Sequence, residues 1–380
     1  MNENQISFTR MKTTYHICLL LCALIIISCV DKNSYVIKGN IKGLQNSELY
    51  IVSNPDLRVD TILTQSGKFS YRGISPTLEP LVIFMENGNV WVTLWVQNGE
   101  KFSVTGDANY PELMVIKGGE VNKLLTEFKT ENSALIKEGC DLKDKLKVRS
   151  EYQTESNVSS SDVQLSSQIK NIDQILKTRA QDFIEANPST IAALVMIQDY
   201  ILDIESASDI FPFLKLVADE VKENSLYDKL FERCLRDLNT KIGKPALNFK
   251  LVDSKDNVVN LETFKDKYLI LTFAASNCDF CEPEYDELLA IHNTFPQKEL
   301  AILTISLDEN KEDWKKLAQE KGINWTQVID TTGWDSEMAL QYNVLSLPCN
   351  YLIDKNGIII GSKLRMENIL TILNEKLKKK

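Results

Sequence analysis

Thr272-Phe-Ala-Ala-Ser-Asn-Cys-Asp-Phe-Cys-Glu-Pro-Glu284 is the stretch that decides the fold. A mostly apolar run, Tyr268 to Phe273, reads as a short buried strand that leads into two cysteines separated by two residues. After Cys281 the spacing becomes helical, with Tyr285, Leu288, Leu289 and His292 on one face. Strand, paired thiols, then helix is the order that thiol redox chemistry uses. Cys278 would stand over the unpaired N–H groups and positive dipole end of that helix, which favour thiolate over thiol. Cys281, one turn inside, would be close enough to close a small disulfide ring. Zinc is the competing use of CxxC, but it needs further ligands. The chain has no second CxxC or HxxxH, and its two histidines are His16 and His292. A redox dithiol without metal or cofactor is the expectation.

Working outward, the chain has 380 residues, enough for two or three domains. Its formal charge of −10 leaves a nucleic-acid role without electrostatic support. Arg10 and Lys12 precede an apolar run, Ile17 to Ile27, that is short for a spanning helix. The run ends Ile26-Ile27-Ser28-Cys29 and resembles a bacterial lipoprotein signal, whose cysteine is lipidated after cleavage. A plain secretory signal ending near Ser28 is the weaker alternative, and Met11 is a better start than Met1. Residues 1–29 are therefore expected to be signal peptide and lipidation site, with Cys18 and Cys22 removed. Cys29, Cys140, Cys234, Cys278, Cys281 and Cys349 remain, too few for a disulfide scaffold in an exported chain of this length.

Residues 34–118 read as an all-β sandwich of about eight short strands. The runs are Tyr35–Ile41, Leu49–Val52, Val59–Thr64, Lys68–Tyr71, Leu81–Met85, Val90–Val96, Phe102–Thr105 and Leu113–Ile116. Glu86-Asn87-Gly88-Asn89 is the strongest turn. Trp91, Thr93 and Trp95 share one face of their strand; a ligand platform is the alternative reading, but with both faces apolar a core position is expected. Gly39, the stretch Asp60 to Phe69, Gly99-Glu100 and Thr105-Gly106 resemble a domain of unknown function that opens many thioredoxin-like lipoproteins of Bacteroidetes. Residues 119–240 read as a helical connector. Its first helix carries Val121, Leu124, Leu125 and Phe128, and a polar gap, Glu151 to Asp162, separates it from a second one carrying Leu165 to Phe183. Asn187-Pro188 stops that helix, Ile191 to Asp203 form a third, and Leu226 to Leu238 stripe a last.

Residues 243–380 alternate β and α and end in a hairpin and helix, which describes an α/β sheet covered on both faces. Gly243-x-Pro245, Phe249-x-Leu251-x-Asp253, Leu261-x-x-Phe264-Lys265, Tyr342-x-Val344, Pro348 and Leu352-Ile353-Asp354-x-x-Gly357 occur together. With the CxxC, this set resembles the thioredoxin superfamily, and within it the membrane-anchored thiol-disulfide oxidoreductases of the TlpA/ResA type. The resemblance implies that Pro348 is a cis-proline facing the dithiol, with Leu347 pairing to an incoming peptide. It also implies that Glu284 aids proton transfer; a solvated first-turn carboxylate is the competing reading. Three positions depart from the pattern: Asn277 replaces a Trp, Thr272 stands where thioredoxin has a buried acid, and Asp279-Phe280 lacks the usual Pro. Asp279 would raise the Cys278 pKa against the helix effect. Cys349 reads either as a third redox thiol or as a small buried hydrophobe, and burial is favoured.

The expected protein is a lipid-anchored, periplasm-facing thiol-disulfide oxidoreductase of the cell envelope, a reductase by resemblance. Its implied partners are protein thiols and disulfides and a membrane electron donor. A peroxiredoxin-like peroxidase is the enzymatic alternative, because Gly243-Lys-Pro-Ala-x-x-Phe249 also resembles that family's opening. Ala275, three residues before Cys278, is not the Thr or Ser that such an enzyme uses. A surface binding protein with a vestigial CxxC is the remaining alternative.

Overall fold

The computed structural model describes residues 32–53, 58–85, 91–152, 160–203, 205–253, 255 and 257–377. Cys29 and its signal, the Glu86–Asn89 turn and most of the polar gap lie outside the described residues. Two compact units divide the chain at Ala193/Leu194, so the expected 119–240 connector is shared between them.

In the first unit two four-stranded sheets face each other. One has the order β4-β1-β7-β8, from β1 (Tyr35–Lys42), β4 (Lys68–Gly73), β7 (Lys101–Asp107) and β8 (Val115–Lys117). The other has the order β3-β2-β5-β6, from β2 (Glu48–Ser53), β3 (Arg58–Leu63), β5 (Glu79–Met85) and β6 (Trp91–Val96). Alternation decides which side chains go inward: Ile37, Leu49, Ile51, Leu81, Ile83, Leu94 and Val104 fill the space between the sheets. Phe69 lies over Gly39, where a Cβ would come within 1.8 Å of the ring. Trp95 is buried in keeping with a core position, Thr93 is exposed, and the Trp91 side chain lies outside what is described.

Helix α1 (Glu120–Glu131) is pinned to β6 by a buried amide. Asn122 accepts from the Trp95 N–H at 2.8 Å and donates to the Trp95 carbonyl at 2.7 Å. The single helix expected before the polar gap is two, α1 and α2 (Ser133–Tyr152). Asn132 breaks it: its backbone and side-chain N–H groups both turn back to the Phe128 carbonyl, and its carboxamide oxygen accepts from Arg179 of α3 (Ser160–Ala186). The expected third helix is α only in α4 (Ile191–Met196), then a π turn to Ile201.

In the second unit the end of α4 and the π turn are followed by α5 (Phe211–Leu216), which the sequence reading missed, and α6 (Ser225–Asn239). A two-stranded piece, β9 (Lys250–Val252) with β10 (Val258–Asn260), precedes the main sheet. That sheet has the order β13-β12-β11-β14-β15. Its strands are β11 (Tyr268–Ala274), β12 (Leu300–Ser306), β13 (Thr326–Ile329), β14 (Cys349–Ile353) and β15 (Ile359–Ser362). β11 runs parallel to β12 and antiparallel to β14. Helices α7 (Glu282–Thr294), α8 (Lys311–Glu320) and α10 (Met366–Leu377) connect and cover it, and a short α9 (Glu337–Gln341) was not foreseen.

Because β11 is central, both of its faces are buried. Leu269, Leu271 and Phe273 pack with Tyr342 and Tyr351, while Ile270 and Ala274 pack with Tyr285, Leu288, Ile291 and Trp314. On α7, Ile291 takes the buried place expected for His292, whose ring instead packs on Trp325. The segment entering from α6 runs along β15: Gly243 N–H donates to Ile359 O, Ile359 N–H to Lys244 O, and Ala246 N–H to Gly357 O. The Tyr351 side chain bonds to Thr240 and its hydroxyl donates to Tyr342 O, tying the end of α6 to the sheet.

Candidate active site

Three connections leave the sheet at the carboxyl end of β11. Cys278 follows β11 by four residues, Asp308 follows β12, and Pro348 directly precedes β14, whose Cys349 is in register with Phe273. Cys278 and Cys281 are bonded to each other, their Cα atoms 5.3 Å apart, which is within the usual range for a disulfide. A 3-10 turn, Asp279–Cys281, separates strand from α-helix. Cys281 therefore stands at the N-cap of α7, not one turn inside it. Cys281 is buried completely, whereas Cys278 is half-buried and Phe280 between them is 83% exposed. The geometry separates an outward thiol from an inward one.

The Leu347–Pro348 bond is cis, as the resemblance implied. Leu347 and Cys278 pack against the same apolar cluster that contains Cys281, so the proline loop lies beside the dithiol.

Glu284 is only partly exposed, and it lies three residues after Cys281, on the same helical face. Thr272, fully buried at the centre of β11, donates to Glu284 Oε1 at 3.0 Å, and Asn350 supplies a second side-chain bond. Burial pushes the Glu284 carboxyl up to about 7, more than the Thr272 and Asn350 bonds pull it down, and Glu287 adds to the rise. The solvated reading of this residue does not hold: α7 turns the side chain inward onto the sheet. Thr272 occupies the place of a buried acid in β11, and the acid itself arrives from the helix.

Cys349 is free, buried and on the other side of the sheet: it packs with Phe273, Tyr342 and Tyr351, whereas the dithiol belongs to the opposite face. Burial pushes its thiol up to about 12. Cys140 and Cys234 are likewise free. Among the described residues no cluster of His, Cys, Asp or Glu could hold a metal ion.

Sequence reasoning missed a polar cluster. Asp308, buried at the end of β12, accepts from Ser276 N–H at 3.0 Å, Ser276 Oγ at 2.5 Å and Ser306 Oγ at 2.6 Å. Tyr285 donates to the Ala275 carbonyl in the same turn at 3.1 Å. The only signal is a pair of small hydroxyl residues near strand ends, 30 positions apart in the chain as Ser276 and Ser306.

A two-cysteine disulfide on an α/β sheet, beside a cis-proline, is the arrangement of a thioredoxin-like thiol-disulfide oxidoreductase. Residues 242–362 match the AhpC/TSA family, and residues 35–125 match a domain of unknown function, DUF4369. A thiol-disulfide oxidoreductase ResA of Bacillus thuringiensis subsp. konkukian is 30% identical over 139 residues, 37% of this chain and 78% of that protein. A ResA protein of Geobacillus kaustophilus is 30% identical over 116 residues, 30% of this chain and 65% of that protein. The C-terminal domain of a putative thiol-disulfide oxidoreductase from Bacteroides thetaiotaomicron aligns with 30% identity and a TM-score of 0.36, covering 37% of this chain and 99% of that one. The chain belongs to the ResA-type thiol-disulfide oxidoreductases, with an N-terminal β domain and a helical middle attached.

Proposed function

We propose that the protein is a lipid-anchored reductase of protein disulfides facing the periplasm. The observation that carries the redox step is the contrast between half-buried Cys278 and fully buried Cys281, with a carboxyl near neutrality on the same helical face. In the reduced enzyme the Cys278 thiolate attacks one sulfur of a substrate disulfide and releases the other as a thiolate. A mixed disulfide joins Cys278 to the substrate. Cys281 then attacks the Cys278 sulfur, Glu284 takes its proton, and the second substrate sulfur leaves as a thiolate. Two electrons have passed to the substrate, and the enzyme holds the Cys278–Cys281 disulfide. A membrane dithiol donor reduces it again. Pro348 presents the Leu347 backbone to the substrate chain.

Anchoring through Cys29 is supported by the Ile-Ile-Ser-Cys ending after a short apolar run. Among the described residues no helix is long and apolar enough to cross a membrane. The test is insulin reduction by the mature chain with dithiothreitol as donor. Precipitation of the insulin B chain well ahead of the dithiothreitol-only control is expected. A rate equal to the control would overturn the reading.

A further inference from the structure

Asp308 takes no part in the exchange chemistry, yet it carries the densest set of hydrogen bonds near the dithiol. It is 8% exposed, and both of its oxygens accept from Ser276, two residues before Cys278. Ser306 Oγ donates to Oδ2 and in turn accepts from the Asp308 N–H at 3.1 Å, which fixes the carboxylate from the strand side. Bonds to an ionised acceptor are the strong kind, and the two from serine hydroxyls are short here. Tyr285 of α7 holds the same turn through the Ala275 carbonyl. The turn that delivers Cys278 is thus gripped from β12 and from α7.

We propose that Asp308 is the positioning residue of the dithiol: it clamps the turn Ala275–Asn277 and so holds Cys278 where it can close on Cys281. In the oxidised protein the disulfide itself restrains Cys278. The clamp therefore matters most in the reduced protein, where it keeps the two thiols near ring-closing geometry before the bond forms. Pre-ordering of reacting groups raises their effective concentration. Loosening the turn gives the reduced state freedom that ring closure must remove, so the disulfide becomes easier to reduce.

The proposal rests on the Cys278–Cys281 exchange described above, but its test does not require a protein substrate. The glutathione equilibrium of the pair is measured in the full chain for wild type, Asp308→Asn, Ser276→Ala and Ser306→Ala, with melting temperatures alongside. Asp308→Asn should lower the equilibrium constant for disulfide formation about tenfold, which is about 30 mV for a two-electron couple. Loss of the negative charge pushes the same way, by favouring thiolate, so the serine variants decide the cause. Each removes one hydroxyl from the same carboxylate and leaves its charge in place. Ser276→Ala, within the clamped turn, should lower the constant about threefold or more, and Ser306→Ala by less than half as much. Equal effects from the two serines, or an Asp308→Asn protein with the wild-type constant, would overturn the clamp. Failure to reduce insulin, with the equilibrium shifts intact, would instead remove the reductase reading and leave the clamp standing. Should Asp308→Asn not fold, the contrast between the two serine variants still decides the matter.

Discussion

Replacing Glu284 by Gln should make the protein more stable at pH 8 while disabling it. The folded carboxyl keeps its proton up to about pH 7, whereas the ordinary value is 4.5. As pH rises between those values the unfolded chain releases a proton that the native one retains, so stability falls, and the full deficit stands above pH 7. At 1.36 kcal/mol per pH unit the deficit is about 3 kcal/mol. Gln keeps an oxygen for the Thr272 hydroxyl, 3.0 Å away in the native protein, and carries no charge to bury. Even half of the deficit, about 1.5 kcal/mol, raises Tm by roughly 3–6 °C in a unit of this size. The assay is calorimetry of the oxidised wild type and variant at pH 4 and pH 8, where no thiolate complicates the titration. The variant should gain at pH 8 and show little change at pH 4, while insulin reduction falls about 100-fold with the proton acceptor gone. A Tm difference that is the same at both pH values would refute the reasoning.

Three further outcomes follow from the placement of the cysteines. Cys281→Ser should accumulate mixed disulfides visible on non-reducing gels, and Cys278→Ser should not; equal trapping would reverse or dissolve the roles. Cys349→Ala should cost about 1 kcal/mol of stability for the small void and leave insulin reduction nearly intact, with mass mapping of oxidised protein finding Cys278–Cys281 and no Cys349 cross-link. Cys29→Ser should move the protein out of the membrane fraction; full retention after a salt wash would put the anchor elsewhere.

Much of the fold was legible because its signals are periodic. Alternation in Tyr35–Lys42 and the apolar run of Tyr268–Ala274 each depend on neighbours within one element, and both strands formed where expected. What escaped were features decided across the chain. Asn132 breaks a helix because Arg179, 47 residues away, occupies its carboxamide oxygen. The five residues of α9 are too few to show a helical period. At the site, the paired cysteines and Pro348 are local motifs, so they could be named. The orientation of Glu284 depends on Thr272, 12 residues earlier in a different element, and local spacing could not separate an inward carboxyl from an outward one. Asp308 was invisible for the same reason: Ser276, the partner that ties it to the dithiol turn, lies 32 residues earlier at another strand's exit.

The backbone bonds between Gly243–Ala246 and β15 have a bearing on how the protein survives its own work. A sheet ends at strands whose outward N–H and C=O groups invite any extended chain to dock. Here the incoming segment of the same molecule already occupies that side of β15. Along Gly357–Ile359 the border of the main sheet is thus closed to the extended segments of other polypeptides. Phe280, between the two bonded cysteines, by contrast stands open to solvent beyond the carboxyl end of β11.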